Sequence, residues 1–203
     1  MSKLFISAII LILSIIAFTS GYLLFGYKGS FAQEVVTVEE TSEESAFENK
    51  LEPIYSRPVR LVIPEINVET YIEKVGVEED GTLGLPSDWN TVGWYKKSSK
   101  AGESGNVVLD GHYDDNYGRP AIFWGLKNLK TDDKVMLVDT FGRTYSYQIT
   151  ETFYLDISDS ERLEVLESND SRNDLTLITC GGVWLPAEQT YNKRLVVKAE
   201  LSV

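Results

Sequence analysis

From about residue 57 onward, apolar and polar side chains alternate. In the terminal stretch, residues 193–201, Leu195, Val197, Ala199 and Leu201 fall on one side. Arg194, Val196, Lys198 and Glu200 fall on the other, the two-residue period of a half-buried strand. Residues 134–155 predict a hairpin. Val135-Met136-Leu137-Val138 leads into a turn at Phe141-Gly142-Arg143, and Tyr145, Tyr147 and Ile149 then point inward, with Thr144, Ser146 and Gln148 outward. Further strands are expected at residues 58–64, between prolines, and at residues 69–75, 91–95 and 105–112. Asp80-Gly81 and Pro86-Ser87-Asp88 are turn signals.

Helical periodicity is scarce. Residues 158–168 form the clearest expected helix, with Asp159 and Glu161 in its first turn and Leu163 and Leu166 along one edge. Residues 122–129 predict a single helical turn. Many short strands with little helix describe a mostly β domain, a barrel or sandwich built on one core over residues 57–203.

The N-terminal pattern is different. Residues 4–27 carry no charge, a run long enough for a helix to cross a bilayer. Residues 1–28 are therefore read as a transmembrane anchor, with a cleaved signal ending near Ser30-Phe31-Ala32 as the competing reading. Residues 29–56 read as an acidic, disordered stalk. Residues 33–53 hold seven glutamates against one lysine, too little apolar surface to offset ordering entropy. The acidic remainder of the chain is expected outside the cell.

Composition narrows the function. The net charge of −12 opposes nucleic acid as a partner, because phosphate binding needs a basic face. One cysteine among 203 residues cannot close an intrachain disulfide. One cysteine and one histidine lack the clustered ligands zinc needs, and no EF-hand pattern is present for calcium. No cofactor is implied.

That cysteine, Cys180, follows Leu175-Thr176-Leu177-Ile178-Thr179. The stretch reads as a short strand that ends at the thiol, stopped by Gly181-Gly182. The single histidine, His112, ends another strand in Leu109-Asp110-Gly111-His112. Thiol catalysis needs a nucleophile, a proton carrier and a group that holds the developing oxyanion. Cys180 and His112 are the candidates for the first two. Arg194, expected at the opening of the last strand, offers a fixed fork of donors for the third. From the residues alone, Cys180 is either a nucleophile or an inert buried thiol, and Arg194 either a binding group or an edge charge.

Asp110-Gly111-His112, Leu177-Ile178-Thr179-Cys180 and Tyr191-Asn192-Lys193-Arg194-Leu195-Val196-Val197 together resemble the sortase family, the cysteine transpeptidases of Gram-positive-type bacterial surfaces. The likeness runs from about residue 58 to the C-terminus. Thr91-Val92-Gly93-Trp94-Tyr95, Gly111-His112-Tyr113-Asp114 and Cys180-Gly181-Gly182 most resemble the class F branch.

The resemblance implies an eight-stranded β-barrel with short helices, preceded by the transmembrane helix. It implies a membrane-anchored enzyme that cleaves an LPXTG-like sorting signal after threonine through a thioacyl intermediate and transfers the protein to a cell-wall amine. Cys180 matches the nucleophile, His112 the general acid/base and Arg194 the oxyanion or substrate holder. Thr179 matches a residue that touches the substrate backbone. Trp184, in a loop without a family pattern, either lines the groove or packs the loop. Asp114, two residues past His112, is a candidate to tune the ring. The competing readings are a non-catalytic barrel that binds surface peptides and a hydrolytic cysteine peptidase.

Overall fold

Leu61 and Ile63 are fully buried while Val62 between them is half-buried and Arg60 before them is exposed, and this alternation makes residues Pro58–Ile63 the first strand, β1. The computed structural model describes residues 53–77, 83–160, 162–169 and 171–202. The expected anchor at residues 1–28, most of the stalk at residues 29–56 and the Asp80-Gly81 turn lie outside the described residues. Among the described residues no helix is long and apolar enough to cross a membrane.

Seven more strands follow: β2 Val68–Val75, β3 Val92–Tyr95, β4 Gly105–Gly111, β5 Lys134–Asp139, β6 Thr144–Asp156, β7 Asn173–Leu185 and β8 Thr190–Leu201. They close a barrel in the order β1-β2-β3-β4-β7-β8-β6-β5. Closure leaves no unpaired sheet edge. Two neighbouring pairs, β2/β3 and β4/β7, run parallel, and the other pairs are antiparallel.

The interior is filled by every second residue of each strand. Val107 and Leu109, Leu175 and Leu177, and Leu195, Val197 and Ala199 belong to one cluster, together with Tyr147 and Ile149 from the predicted hairpin. The expected inward faces of β6 and β8 are the observed ones. Burying such a side chain contributes roughly 1.5–3 kcal/mol. The Tyr147 hydroxyl has a partner inside, accepting the Gly102 amide at 2.9 Å.

Two expectations are corrected. The first is the helix at residues 158–168. The segment holds turns and a single 3-10 turn, Glu164–Leu166, and no α-helix occurs among the described residues. Asp156 bends the chain at its start by accepting the Ser158 amide at 3.0 Å and its hydroxyl at 2.6 Å. Further on, the Val165 and Glu167 carbonyls are drawn sideways to Asn106 and Lys198. Carbonyls spent on neighbouring strands cannot build an i→i+4 ladder.

The second correction concerns Cys180. The strand does not stop there but continues to Leu185 and turns back as a hairpin, with Trp184 opposite Tyr191 and Leu185 opposite Thr190. Gly182 and Val183 form a β-bulge within it, opposite Asn192. Gly182 has φ +83°, and a Cβ there would lie 2.3 Å from Asn192 Oδ1. That Asn192 oxygen instead accepts the Val183 amide at 2.7 Å, which satisfies the bulge. Arg194 accordingly lies inside β8 rather than at its opening.

Candidate active site on the outer face of three strands

β4, β7 and β8 present their non-core residues outward in rows set by register. Val108, Thr176 and Lys198 form one row, and Asp110, Ile178 and Val196 the next. The row after that places Cys180 directly opposite Arg194. Gly105 pairs with Asn173 and Asp110 with Ile178, a constant separation of 68 residues along the parallel pair. His112 and Cys180 have the same separation, so the histidine follows β4 at the level of the thiol. Side chains two residues apart on a strand share a face. Register thus brings His112, Cys180 and Arg194 to one side of the barrel, and all three line one groove of ≈ 1060 Å³.

The segment after β4, with Tyr113 and Asp114, borders the groove, and three further segments supply its apolar walls. Leu163, Val165 and Leu166 come from the β6–β7 connection, Leu83, Leu85 and Trp89 from the β2–β3 connection, and Trp184 and Tyr191 from the β7–β8 hairpin. The walls are largely apolar while the last row is polar, the usual make-up of a ligand-binding cleft.

The His112 ring lies against Trp89, with centroids 4.3 Å apart at 57°. Its Nε2 is 3.1 Å from the Pro86 carbonyl. A carbonyl only accepts, so Nε2 carries the proton and Nδ1 holds the basic lone pair of the neutral ring.

Cys180 is half-buried. Burial pushes its thiol pKa up, the Arg194 charge pulls it down, and the Asp114 and Asp110 carboxylates push it up again, for a net rise. The resting group at neutral pH is a thiol, so its nucleophilic form requires a base.

The Arg194 guanidinium is held by its own hairpin. Nη1 donates to the Tyr191 carbonyl at 3.1 Å and to the Lys193 carbonyl at 3.0 Å, and Nη2 to Thr190 Oγ1 at 3.2 Å. These bonds use both Nη1 protons and one of Nη2. The Nε proton and the second Nη2 proton keep the remaining donor capacity of the fork.

Thr179 borders the groove, but its hydroxyl is turned inward and donates to the Gly111 carbonyl at 2.7 Å. That buried bond ties the end of β4 to β7, directly before His112 and Cys180. Trp184 both lines the groove and packs the loop, meeting Tyr191 edge-on at 5.3 Å. Asp114 accepts the Tyr191 hydroxyl. Burial, and then that carboxylate, push the phenol pKa well above its ordinary value.

Several contacts had no sequence signal. Pro86 and Trp89 reach His112 from a different connection, and Tyr191 meets Asp114 across 77 residues. Asp110 was visible only as part of a motif. It is 4% exposed, and neither carboxyl oxygen has a hydrogen-bond partner among the described residues. Burial pushes its pKa up to about 8, its own amide opposing and Glu73 adding to the rise. Gly93, its partner on β3, leaves the room it occupies, since a Cβ there would meet Asp110 Oδ1 at 2.4 Å.

Comparison with known proteins agrees with this architecture. A family model described as a sortase domain matches residues 61–202. Sortase D of Bacillus subtilis (strain 168) is 29% identical over 120 residues, 59% of this chain and 52% of that protein. The chain thus spans about half the length of that curated relative. Among solved structures, a Clostridium perfringens Sortase D5 transpeptidase superposes with a TM-score of 0.53 at 25% identity, covering 81% of this chain and 91% of that one. Sortase C-1 of Actinomyces oris shares the fold, with a TM-score of 0.55 at 24% identity over 81% of this chain and 84% of its own. None of these three carries the class F label to which the sequence motifs pointed.

Proposed function

The chain belongs to the sortase family, and on that premise we propose that it is a membrane-anchored cysteine transpeptidase with Cys180, His112 and Arg194 as its catalytic residues. The observation that carries the reading is the row on the barrel's outer face, where register aligns a thiol, an imidazole and a guanidinium in one groove.

The substrate is the LPXTG-like sorting signal near the C-terminus of a surface protein. The peptide lies in the groove, against the Trp184 indole and the main chain at Thr179. As Cys180 Sγ attacks the threonine carbonyl carbon, the thiol proton passes to the neutral imidazole. The carbonyl π electrons move to oxygen, and the uncommitted Arg194 donors hold that oxyanion. Collapse breaks the threonine–glycine C–N bond, and the imidazolium returns its proton to the departing amine. A thioacyl enzyme remains. A cell-wall amine then attacks the thioester carbonyl and gives a proton to His112. The C–S bond breaks, an amide forms, and the sulfur regains its proton.

Residues 1–28 hold the protein in the membrane, residues 29–56 space it from the surface, and residues 57–203 act on the extracellular side. The acceptor is an amine of a wall precursor.

The test uses the full chain in detergent with an LPXTG-like peptide library, with and without a wall-derived amine. Mass spectrometry is expected to show peptide cleaved after threonine and joined to the amine, and no product from Cys180→Ala. Product from Cys180→Ala would overturn the reading, and hydrolysis alone under saturating amine would make the protein a peptidase. Fractionation of cells should find the protein in membranes with its N-terminus retained.

A further inference from the structure

One wall of the groove has little apolar burial to hold it. The 3-10 turn Glu164–Leu166 contains no buried residue, and Leu163 beside it is 60% exposed. Its position must come from other contacts, and the hydrogen bonds supply them.

The rows just beyond the groove floor, on the same outer face, carry Asn106, Thr176 and Lys198. Asn106 is 1% exposed and Thr176 fully buried. Lys198 sits opposite Thr176 across β7 and β8. Lys198 Nζ donates to the Val165 carbonyl at 2.7 Å and to Thr176 Oγ1 at 2.8 Å. Thr176 Oγ1 in turn donates to Asn106 Oδ1 at 2.8 Å. That bond orients the Asn106 amide, whose Nδ2 donates to the Val165 carbonyl at 3.0 Å and the Glu167 carbonyl at 3.2 Å. Three side chains from three strands thus converge on two carbonyls of one short segment. Val165 itself lines the groove, as do Leu163 and Leu166 on either side of Glu164.

We propose that Lys198 is a positioning residue for the substrate groove: with Thr176 and Asn106 it latches the β6–β7 segment through the Val165 and Glu167 carbonyls and so sets the distance between that wall and Cys180. Desolvation lowers the Lys198 pKa, with the Asp174 charge opposing it, as befits an ammonium committed to carbonyl and hydroxyl partners rather than water. Hydrogen bonds from a charged donor to partly buried acceptors are the strong ones, and losing one leaves the carbonyl to reorient. The latch touches no reacting atom, so it acts on peptide binding and leaves the thiol chemistry unchanged. It rests on the reading of this groove as the seat of the sorting peptide.

The experiment pairs two measurements on wild type, Lys198→Met, Thr176→Val and Lys198→Arg. Methionine keeps an apolar stem without the donor, and valine removes the relay hydroxyl at constant shape. Hydrogen–deuterium exchange is expected to quicken in peptides covering residues 162–169 for both disrupting variants, with residues 173–180 unchanged. Lys198→Arg, which keeps a charged donor, is expected to recover most of the protection. In peptide turnover, KM should rise about tenfold with kcat within about twofold, the pattern of lost binding rather than lost transition-state contact.

Unchanged exchange at residues 162–169 in both disrupting variants would overturn the latch. Exchange that quickens across the whole barrel, or a kcat loss matched by slower Cys180 alkylation, would overturn it in favour of a general structural role. Quickened local exchange with unchanged KM would refute its role in positioning substrate. If the wild type turns over no peptide, the transpeptidase reading fails, while the exchange data still decide the latch.

Discussion

Arg194 stands directly across from Cys180 on the neighbouring antiparallel strand, so a permanent positive charge and the lone thiol share one register position. The guanidinium lowers a thiol pKa that burial raises, and its hairpin bonds commit only part of its donor set. One side chain thereby eases thiolate formation and keeps unspent donors beside the thiol, which in the proposed mechanism hold the oxyanion.

Arg194→Ala should leave the barrel folded and remove most turnover. Loss of an oxyanion donor costs about 10²–10³ in kcat. Arg194→Lys keeps charge without the planar fork and should recover only part of it. Steady-state kinetics beside near-UV circular dichroism distinguish this from unfolding; a lost dichroism signal would make the arginine structural.

The thiol should titrate above the ordinary cysteine range, because burial outweighs Arg194 and the Asp114 and Asp110 charges add to it. Asp110 titrates near 8, so it is charged by the pH at which the thiol ionises. Asp110→Asn removes a negative neighbour and should move the midpoint of the iodoacetamide rate profile downward. An upward or absent movement would rule out coupling between the two groups.

Asp110 also makes stability depend on pH. Its folded pKa of about 8 lies above its ordinary value of 3.8, so the folded state holds the proton more tightly than the unfolded state. The stability from that protonated carboxyl is complete below about pH 4. It declines as pH rises and is gone above about 8. Asp110→Asn should therefore gain on wild type progressively between those limits and run parallel beyond them. Urea unfolding at a series of pH values checks this, and a gap of constant size would refute it.

Gly182→Ala should be costly at a position that sequence alone marks as a strand end. The backbone is at φ +83°, and the new Cβ would press on the Asn192 oxygen that satisfies the bulge. Left-handed backbone costs an L-residue roughly 1–2 kcal/mol before any clash. The bulge lies just past Cys180, so turnover should fall with the unfolding midpoint. Unaltered stability would mean that the bulge relaxes freely.

Strands were legible where one face meets the core and the other meets water. β8 and the β5–β6 hairpin show it, because Leu195, Val197, Tyr147 and Ile149 obey a period of two that burial alone imposes. The segment at residues 158–168 was not legible, since its acidic start and leucine edge are local signals. Its carbonyls answer instead to Asn106 and Lys198, on strands far along the chain. Gly181-Gly182 misled in the same way: a glycine pair ends a strand unless a partner such as Asn192 receives the freed amide.

Residue types by themselves determined which chemistry the chain can attempt, because it has a single thiol and a single imidazole. Their local pattern placed the thiol on one strand of a β domain and the imidazole at the end of another. Only tertiary pairing decided that His112, Cys180 and Arg194 line one groove, that Pro86 orients the ring, and that Asp110 lies buried with no hydrogen-bond partner for its carboxyl oxygens among the described residues. The reason is range: alternation is set by each residue's contact with core or water and repeats along the chain. Register between β4, β7 and β8 is set by closing the whole barrel, which no single stretch encodes.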